Sequence, residues 1–307
     1  MNIAIFNSFA HTKSTGKIAY GLYSHLKQKG HNVWLYYGNY TEEKLNDSYI
    51  RLVGSKISFK AHLFFARVLG NQGEYSIIPT LKVIKKMQAE KVQIVYLFNI
   101  HGNYLNYPLL FSYFSKKKIK VVYTMLDEYA FLGKCCFPYD CDKYQTMCCK
   151  CQAVRDYPKS LFFDRSRHIM KTKEKCYNKV RDISFVGIEY SIKRAEKSRL
   201  LNGRKLCVLD ESVNLQTLYY PRSTIKLKKE LHVKDERIII LTIAPFSAER
   251  KGCKYYLEAA KRINDERYVF IQVGFDVDKS ICPDNFIPIG YIQNQEKLIS
   301  LVTMLQQ

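Results

Sequence analysis

No apolar run in this chain approaches the roughly 18–20 residues that a membrane-crossing helix needs. The opening Met1-Asn2-Ile3-Ala4-Ile5-Phe6-Asn7 lacks the basic segment and the long apolar stretch of a secretion signal. The expected location is therefore the cytoplasm, peripheral to the inner membrane face, where thiols stay reduced. Low-complexity segments are absent too, and no repeat appears beyond a two-fold recurrence of α/β units. Acidic residues are scarce: 28 Asp and Glu stand against 49 Lys and Arg, a net charge of +21. Such an excess attracts anionic surfaces, lipid headgroups or nucleotide phosphates. The basic residues fall into several blocks (116–120, 165–181, 193–205 and 226–234) rather than one arm. No recognition-helix pattern accompanies them, so nucleic acid is not an expected partner.

What is present describes a globular chain of 307 residues, 47% hydrophobic and 25% charged, long enough for two cores. Residues 3–6 form a short apolar strand, 7–17 a polar loop ending in Ser14-Thr15-Gly16-Lys17, and an amphipathic helix follows with Ile18, Leu22, Tyr23 and Leu26 on one face. Gly30 is placed to end it, and 33–37 is the next strand. This is the opening of a Rossmann-like domain, whose loop-to-helix junction is a natural anion site. Helices are expected over 55–69, 78–90, 108–114 and 166–180, with strands over 92–98, 121–126, 183–186 and 207–209. The charged stretch 226–235 reads as a linker. A second α/β unit then supplies strands over 237–243, 268–273 and 287–290, with helices over 253–264 and from 296. The expected fold is α/β, with domains 1–225 and 226–307.

Six of the ten cysteines crowd between Asp127 and Pro158: Cys135, Cys136, Cys141, Cys148, Cys149 and Cys151. Tetrahedral zinc is often held by a Cys-x-x-Cys pair plus two further thiolates. Cys148 and Cys151 supply the pair, and Cys135 and Cys141 the remaining two across a turn at 137–139. Three readings stand at this point: a structural zinc, free or buried thiols, and disulfides, the last disfavoured in a reducing compartment.

Four stretches resemble the family 4 glycosyltransferases of the GT-B fold, in a bacterial surface-polysaccharide subgroup. Residues 14–18 look like the glycine loop of the first domain, and 99–106 like its acceptor-side loop. Residues 124–160, with Cys148-x-x-Cys151 and Tyr157-Pro158-Lys159-Ser160, look like the subgroup's cysteine-bearing insert (127–158). Glu249-Arg250-Lys251-Gly252 looks like the donor-phosphate loop of the second domain. The resemblance implies two Rossmann-like domains (GT-B type), an acceptor-side first and a donor-side second. It also implies retaining transfer of a hexose from a nucleotide-sugar to a glycan or lipid-linked glycan, with no cofactor required for catalysis.

Within that reading Asp127 is the candidate catalytic residue, orienting an acceptor hydroxyl. Asn99 and His101 are candidates for the acceptor, and Gly16, Arg250, Lys251 and Gly290 for the donor. Lys251, on a loop running into a helix, is suited to a leaving diphosphate. The chain departs from the subgroup at Leu126, where histidine is usual. It departs again at Asp210-Glu211-Ser212 and Asn214, where Pro-Asn-Gly and aspartate are usual. The resemblance also implies about 80–100 further residues of donor domain, a length typical of such units, carrying paired glutamates that grip the donor. The second domain is thus expected to be incomplete, less stable than the first, and impaired in transfer. The alternative is a non-catalytic remnant that binds a glycan acceptor.

Overall fold

The structure, a computed structural model, describes residues 1–209, 220, 223–234, 236–263 and 265–304. Asp210, Glu211, Ser212 and Asn214 lie outside the described residues, as do Leu305, Gln306 and Gln307. The chain divides into two compact units, Met1–Glu211 and Ser212–Gln307. This places the division before the boundary expected after residue 225.

The first unit runs β1 (Asn2–Asn7), α1 (Lys13–Gln28), β2 (Asn32–Tyr37), β3 (Ile50–Leu52), α2 (Lys56–Leu69), α3 (Ile77–Ala89), β4 (Ile94–Leu97), α4 (Tyr107–Lys117), β5 (Lys120–Thr124), α5 (Ser166–Lys179), β6 (Ile183–Gly187), α6 (Glu189–Glu196) and β7 (Lys205–Val208). Its strands form one parallel sheet in the order β3-β2-β1-β4-β5-β6-β7. Alternate side chains of each strand point to opposite faces, so both faces need cover. Ile3, Ile5, Val33 and Leu35 pack with Ala19 and Tyr23 of α1 on one side. Ala4, Phe6, Val95 and Val121 pack with Met87 of α3 and Phe111 and Phe114 of α4 on the other.

Local chemistry sets the helix ends. Ser55 and Ser58 form a reciprocal capping box at the start of α2, which Gly70 closes in the left-handed conformation. Asn106 caps α4 by accepting the Leu109 N–H at 3.0 Å. The short β3 and the helix α6 were not expected from the sequence. Helix α1 begins at Lys13 rather than after Lys17, which moves Gly16 from the loop into the helix.

The second unit runs α7 (Ile225–Glu230), β8 (Ile238–Ile243), α8 (Cys253–Arg262), β9 (Tyr268–Val273), β10 (Phe286–Ile289) and α9 (Gln295–Thr303), with a parallel sheet ordered β10-β9-β8. The stretch read as a linker is in part α7, because Leu227 is buried with Val233, Val269 and Leu301. The other face holds Leu257, Ala260, Phe270 and Phe286.

Candidate functional site

In the first unit the chain leaves β1 toward β2 and β3 on one side, and resumes at β4 to build β5, β6 and β7 on the other. The β1–β4 junction is a topological switch point, and ligand sites in open α/β sheets form there, beyond the carboxyl ends of the strands. A cavity of about 260 Å³ opens at that place. Its lining includes Ser8 after β1, Asn39 after β2, Asn99 and His101 after β4, and Asp127 after β5. Three expected site residues, Asn99, His101 and Asp127, are therefore brought together because β4 and β5 are neighbours.

Asp127 is the focus of this cavity. Its Oδ1 accepts the Tyr129 N–H at 3.0 Å, and its Oδ2 stands 3.3 Å from His101 Nε2. Cys136 Sγ lies 3.5 Å from the same nitrogen. The three ligand-type atoms of His101, Asp127 and Cys136 all fall within 4.8 Å of one another. Burial pushes the His101 pKa below its ordinary value, against a weaker opposing pull from Asp127. Burial also pushes the Cys136 thiol up. Both groups thus meet the carboxylate as neutral donors. The Asp127 side chain is 13% exposed, enough for a hydroxyl in the cavity to reach it. The Tyr129 ring lies tilted against His101 at 4.6 Å and Tyr157 meets it edge-on at 5.6 Å, which fixes the imidazole.

Gly16 has a packing role besides the donor contact expected of it. The anion at the α1 entrance is the chain's own Glu42. Its carboxylate accepts the backbone N–H groups of Ala10 (2.6 Å), His11 (2.9 Å) and Thr12 (2.6 Å). Inside the helix, a Cβ on Gly16 would stand 2.9 Å from Phe9 Cβ and 3.1 Å from the His11 carbonyl carbon. Glycine is needed there to seat α1 on its own loop, and the amides of Ala10, His11 and Thr12 are taken by Glu42.

The cysteine loop between β5 and α5 is tied down by two lysines. Lys173, on α5, donates to the carbonyls of Tyr129 (2.5 Å), Leu132 (2.9 Å) and Gly133 (3.3 Å), with Nζ 3.2 Å from the Tyr129 ring centre. Lys134 donates to the carbonyls of Ala153, Asp156 and Pro158. Both lysines are 1% exposed. Lys173 belongs to a block read as surface charge; burial corrects that. The signal was present, since Ile169, Met170, Lys173, Cys176 and Tyr177 share one helical stripe. All ten cysteines are free thiols.

In the second unit the loops after β8, β9 and β10 share one end of a parallel sheet. Arg250 and Lys251 occupy a one-turn 3-10 segment (Glu249–Lys251) that Gly252, at φ 71°, joins to α8. Both are exposed. Ser247 before them donates through N–H and hydroxyl to Asp276 after β9, at 3.0 and 2.5 Å. Gly290 follows β10 with open space where a side chain would sit. Strand β9 separates it from the Lys251 loop. In the first unit, Ser8, Cys136 and Tyr157 line the Asp127 cavity without having been assigned to the site from the sequence.

With this geometry in view, the chain can be compared with solved structures. Sucrose-phosphate synthase from Thermosynechococcus elongatus aligns with a TM-score of 0.61 at 13% identity, over 99% of this chain and 73% of that one. WaaG, a glycosyltransferase involved in lipopolysaccharide biosynthesis, aligns at 0.58 and 13% identity, over 96% and 72%. The catalytic domain of starch synthase IV from Arabidopsis thaliana aligns at 0.53 and 11% identity, over 99% and 75%. The fold is that of the GT-B glycosyltransferases. No protein-family model and no curated protein matches the sequence.

Proposed function

We propose that this chain is a retaining, nucleotide-sugar-dependent hexosyltransferase of family 4, acting in surface polysaccharide assembly at the cytoplasmic face of the membrane. The observation that carries this reading is the Asp127–His101 pair at the switch-point cavity of a GT-B fold. Asp127 accepts the hydrogen bond of an acceptor hydroxyl, and Asn99 and His101 shape the cavity around it. The bond from the anomeric carbon to the diphosphate breaks, the bond to the acceptor oxygen forms on the same face, and the hydroxyl proton leaves with the diphosphate. Lys251 and Arg250, with the N-terminus of α8, take up the charge of the departing diphosphate, while Gly290 leaves room for the nucleotide.

Two features support a lipid-linked acceptor at an anionic surface. Ile57, Phe64, Ile78 and Phe162 are between 60% and 80% exposed, on α2, α3 and the segment packed beside α2. Lys56, Lys60, Arg67, Lys82 and Arg165 surround them, also exposed. Between α2 and α3 lies a cavity of about 730 Å³ whose lining includes Leu52, Phe65, Ile77 and Val83 with Lys82 and Lys86, and also Arg51, which is paired with Glu90. Apolar side chains with Lys82 and Lys86 among them suit an acyl chain with a phosphate head.

The test is release of nucleoside diphosphate from a panel of sugar nucleotides in the presence of glycan acceptors. The Asp127→Asn variant should lose about 100-fold or more in turnover, the usual scale for a group acting on the transferred proton's oxygen. Acceptor binding by the wild-type chain without turnover of any donor would overturn the catalytic reading.

A further inference from the structure

We propose that Cys135, Cys141, Cys148 and Cys151 hold one zinc ion as a closed tetrathiolate, and that Lys134 and Lys173 are its built-in counter-cations. The inference is independent of transferase activity. It begins with a cavity of about 20 Å³ that all four cysteines line, together with Lys134 and the apolar side chains of Leu132, Pro138 and Tyr144. That volume holds a single water-sized particle. Cys148 and Cys151 have the spacing of a zinc knuckle. The Cys148 sulfur already accepts the Gly133 N–H at 3.2 Å, the kind of outer hydrogen bond that orients a thiolate ligand. The close approach is specific to glycine: a Cβ on Gly133 would stand 2.6 Å from Cys148 Cβ and 2.7 Å from the Ser166 carbonyl oxygen.

The charges of the loop supply an independent argument. Lys134 and Lys173 are both 1% exposed, and every hydrogen-bond partner of their ammonium groups is a backbone carbonyl. Among the described residues neither makes an ion pair with a carboxylate. Two buried cations without a counter-charge carry a heavy desolvation penalty. The sulfurs are the groups in place to balance them. Lys134 lines the cavity together with the four cysteines, and Lys173 donates to the carbonyl of Gly133, whose N–H meets the Cys148 sulfur. A zinc ion bound by four thiolates carries a net charge of minus two. Lys134 and Lys173 offset that charge from within, while a third lysine in the lining, Lys143, gives its ammonium to the Cys149 and Lys150 carbonyls.

The ligand set is distinguishable from its neighbours. Cys149 also lines the cavity; Cys141, across the turn at 137–139, is taken as the fourth ligand. The other sulfur-bearing cluster, His101, Asp127 and Cys136, is less suited. His101 Nδ1 is buried without a hydrogen-bond partner, whereas a metal-bound histidine gives its second ring N–H to an acceptor. Zinc binding would draw the four sulfurs to about 2.3 Å from the ion, closing a loop that has only the short 3-10 turn Lys143–Gln145 as regular structure.

The experiment measures metal content of the full chain, expressed with zinc supplied, and the visible spectrum after cobalt replacement. About one zinc per chain and the charge-transfer intensity of four thiolates are expected. Less than about 0.2 zinc per chain overturns the proposal, since structural sites bind tightly. Cys141→Ser and Cys151→Ser should lose the ion, while Cys149→Ser and Cys136→Ser should keep it; the reverse pattern overturns the ligand set. Lys134→Met and Lys173→Met, with all four sulfurs intact, should weaken zinc retention against a chelator by about 10–100-fold. Unchanged retention in both lysine variants overturns the counter-cation role. The wild-type metal content decides the central claim even if a variant fails to fold.

Discussion

Glu42 presents its carboxylate to the backbone of His11: Oε1 accepts the His11 N–H at 2.9 Å, and His11 Nδ1 lies 3.2 Å from the same oxygen. The Ala10 and Thr12 amides complete the grip, and the Glu42 side chain is fully buried. The three amides lie in the turn just before α1 and need an acceptor, which a residue some thirty positions later provides. Glu42→Gln replaces one acceptor oxygen with an N–H₂ group facing donors. The variant should lose about 2–4 kcal/mol, the scale for disturbing a buried charged hydrogen-bond network. Urea unfolding of the two proteins checks it. An unchanged midpoint would show that the carboxylate's charge contributes nothing to seating α1.

That contact also marks where sequence reading stops. The apolar runs of β1, β2 and β9 were legible, because parallel strands buried on both faces are nearly all apolar. The start of α1 was not, because Gly16 and its polar neighbours look like a loop, and the turn before them is held by Glu42 from a distant segment. Segment 226–230 looked like a linker because lysine and glutamate dominate it, and only tertiary burial of Leu227 makes it a helix. At the candidate site, Asn99, His101 and Asp127 were each recognisable as residues just past a strand. Their convergence depends on β4 pairing with β5. Cys136 and Tyr157 arrive through a long irregular loop whose path no periodicity encodes.

Stability should fall in acid partly through His62. It is 1% exposed; its Nδ1 lies 2.6 Å from Ser76 Oγ and its Nε2 accepts the Gly73 N–H at 3.3 Å. Both contacts suit the neutral ring, and burial lowers the pKa from 6.5 to about 3. The unfolded chain therefore binds a proton near pH 6.5 that the folded chain refuses until about pH 3. Stability from this group is complete above pH 6.5 and declines by about 1.4 kcal/mol per pH unit as pH falls toward 3. Denaturant titrations at successive pH values should show a shallower acid limb in His62→Gln, by close to one proton. Equal slopes in the two proteins would rule the assignment out.

The exposed apolar patch on α2 and beside it predicts surface binding. Phe64 is 60% exposed and Phe162 71%, near the basic residues Lys60, Arg67 and Arg165. Insertion of such side chains into the headgroup boundary adds to electrostatic attraction, and both terms are needed for firm binding. The chain should co-sediment with vesicles containing anionic lipid, less with neutral vesicles, and less again at high salt. Phe64→Glu with Phe162→Glu should reduce partitioning by about 10-fold or more, since two buried aromatic contacts and two repulsive charges change together. Binding that is indifferent to lipid charge and to both substitutions would remove the membrane from the proposal.

Lys251 offers the sharpest test of the donor side. It is exposed, and Gly252 follows it at φ 71° to open α8. Little in the fold depends on its side chain, so Lys251→Ala should leave the thermal midpoint within about 1–2 °C, the range for a surface change below 0.5 kcal/mol. Nucleoside diphosphate binding is different, because in the proposed donor site this cation beside a helix N-terminus meets the phosphate directly. Its loss should weaken product binding by about 10-fold, or 1.4 kcal/mol, and turnover by more, because charge on the diphosphate grows as the glycosidic bond breaks. Calorimetry with the nucleoside diphosphate separates the two quantities. Equal affinities for wild type and Lys251→Ala would move the donor phosphates away from the β8–α8 loop, and with them the reading of Glu249-Arg250-Lys251-Gly252 as a phosphate loop.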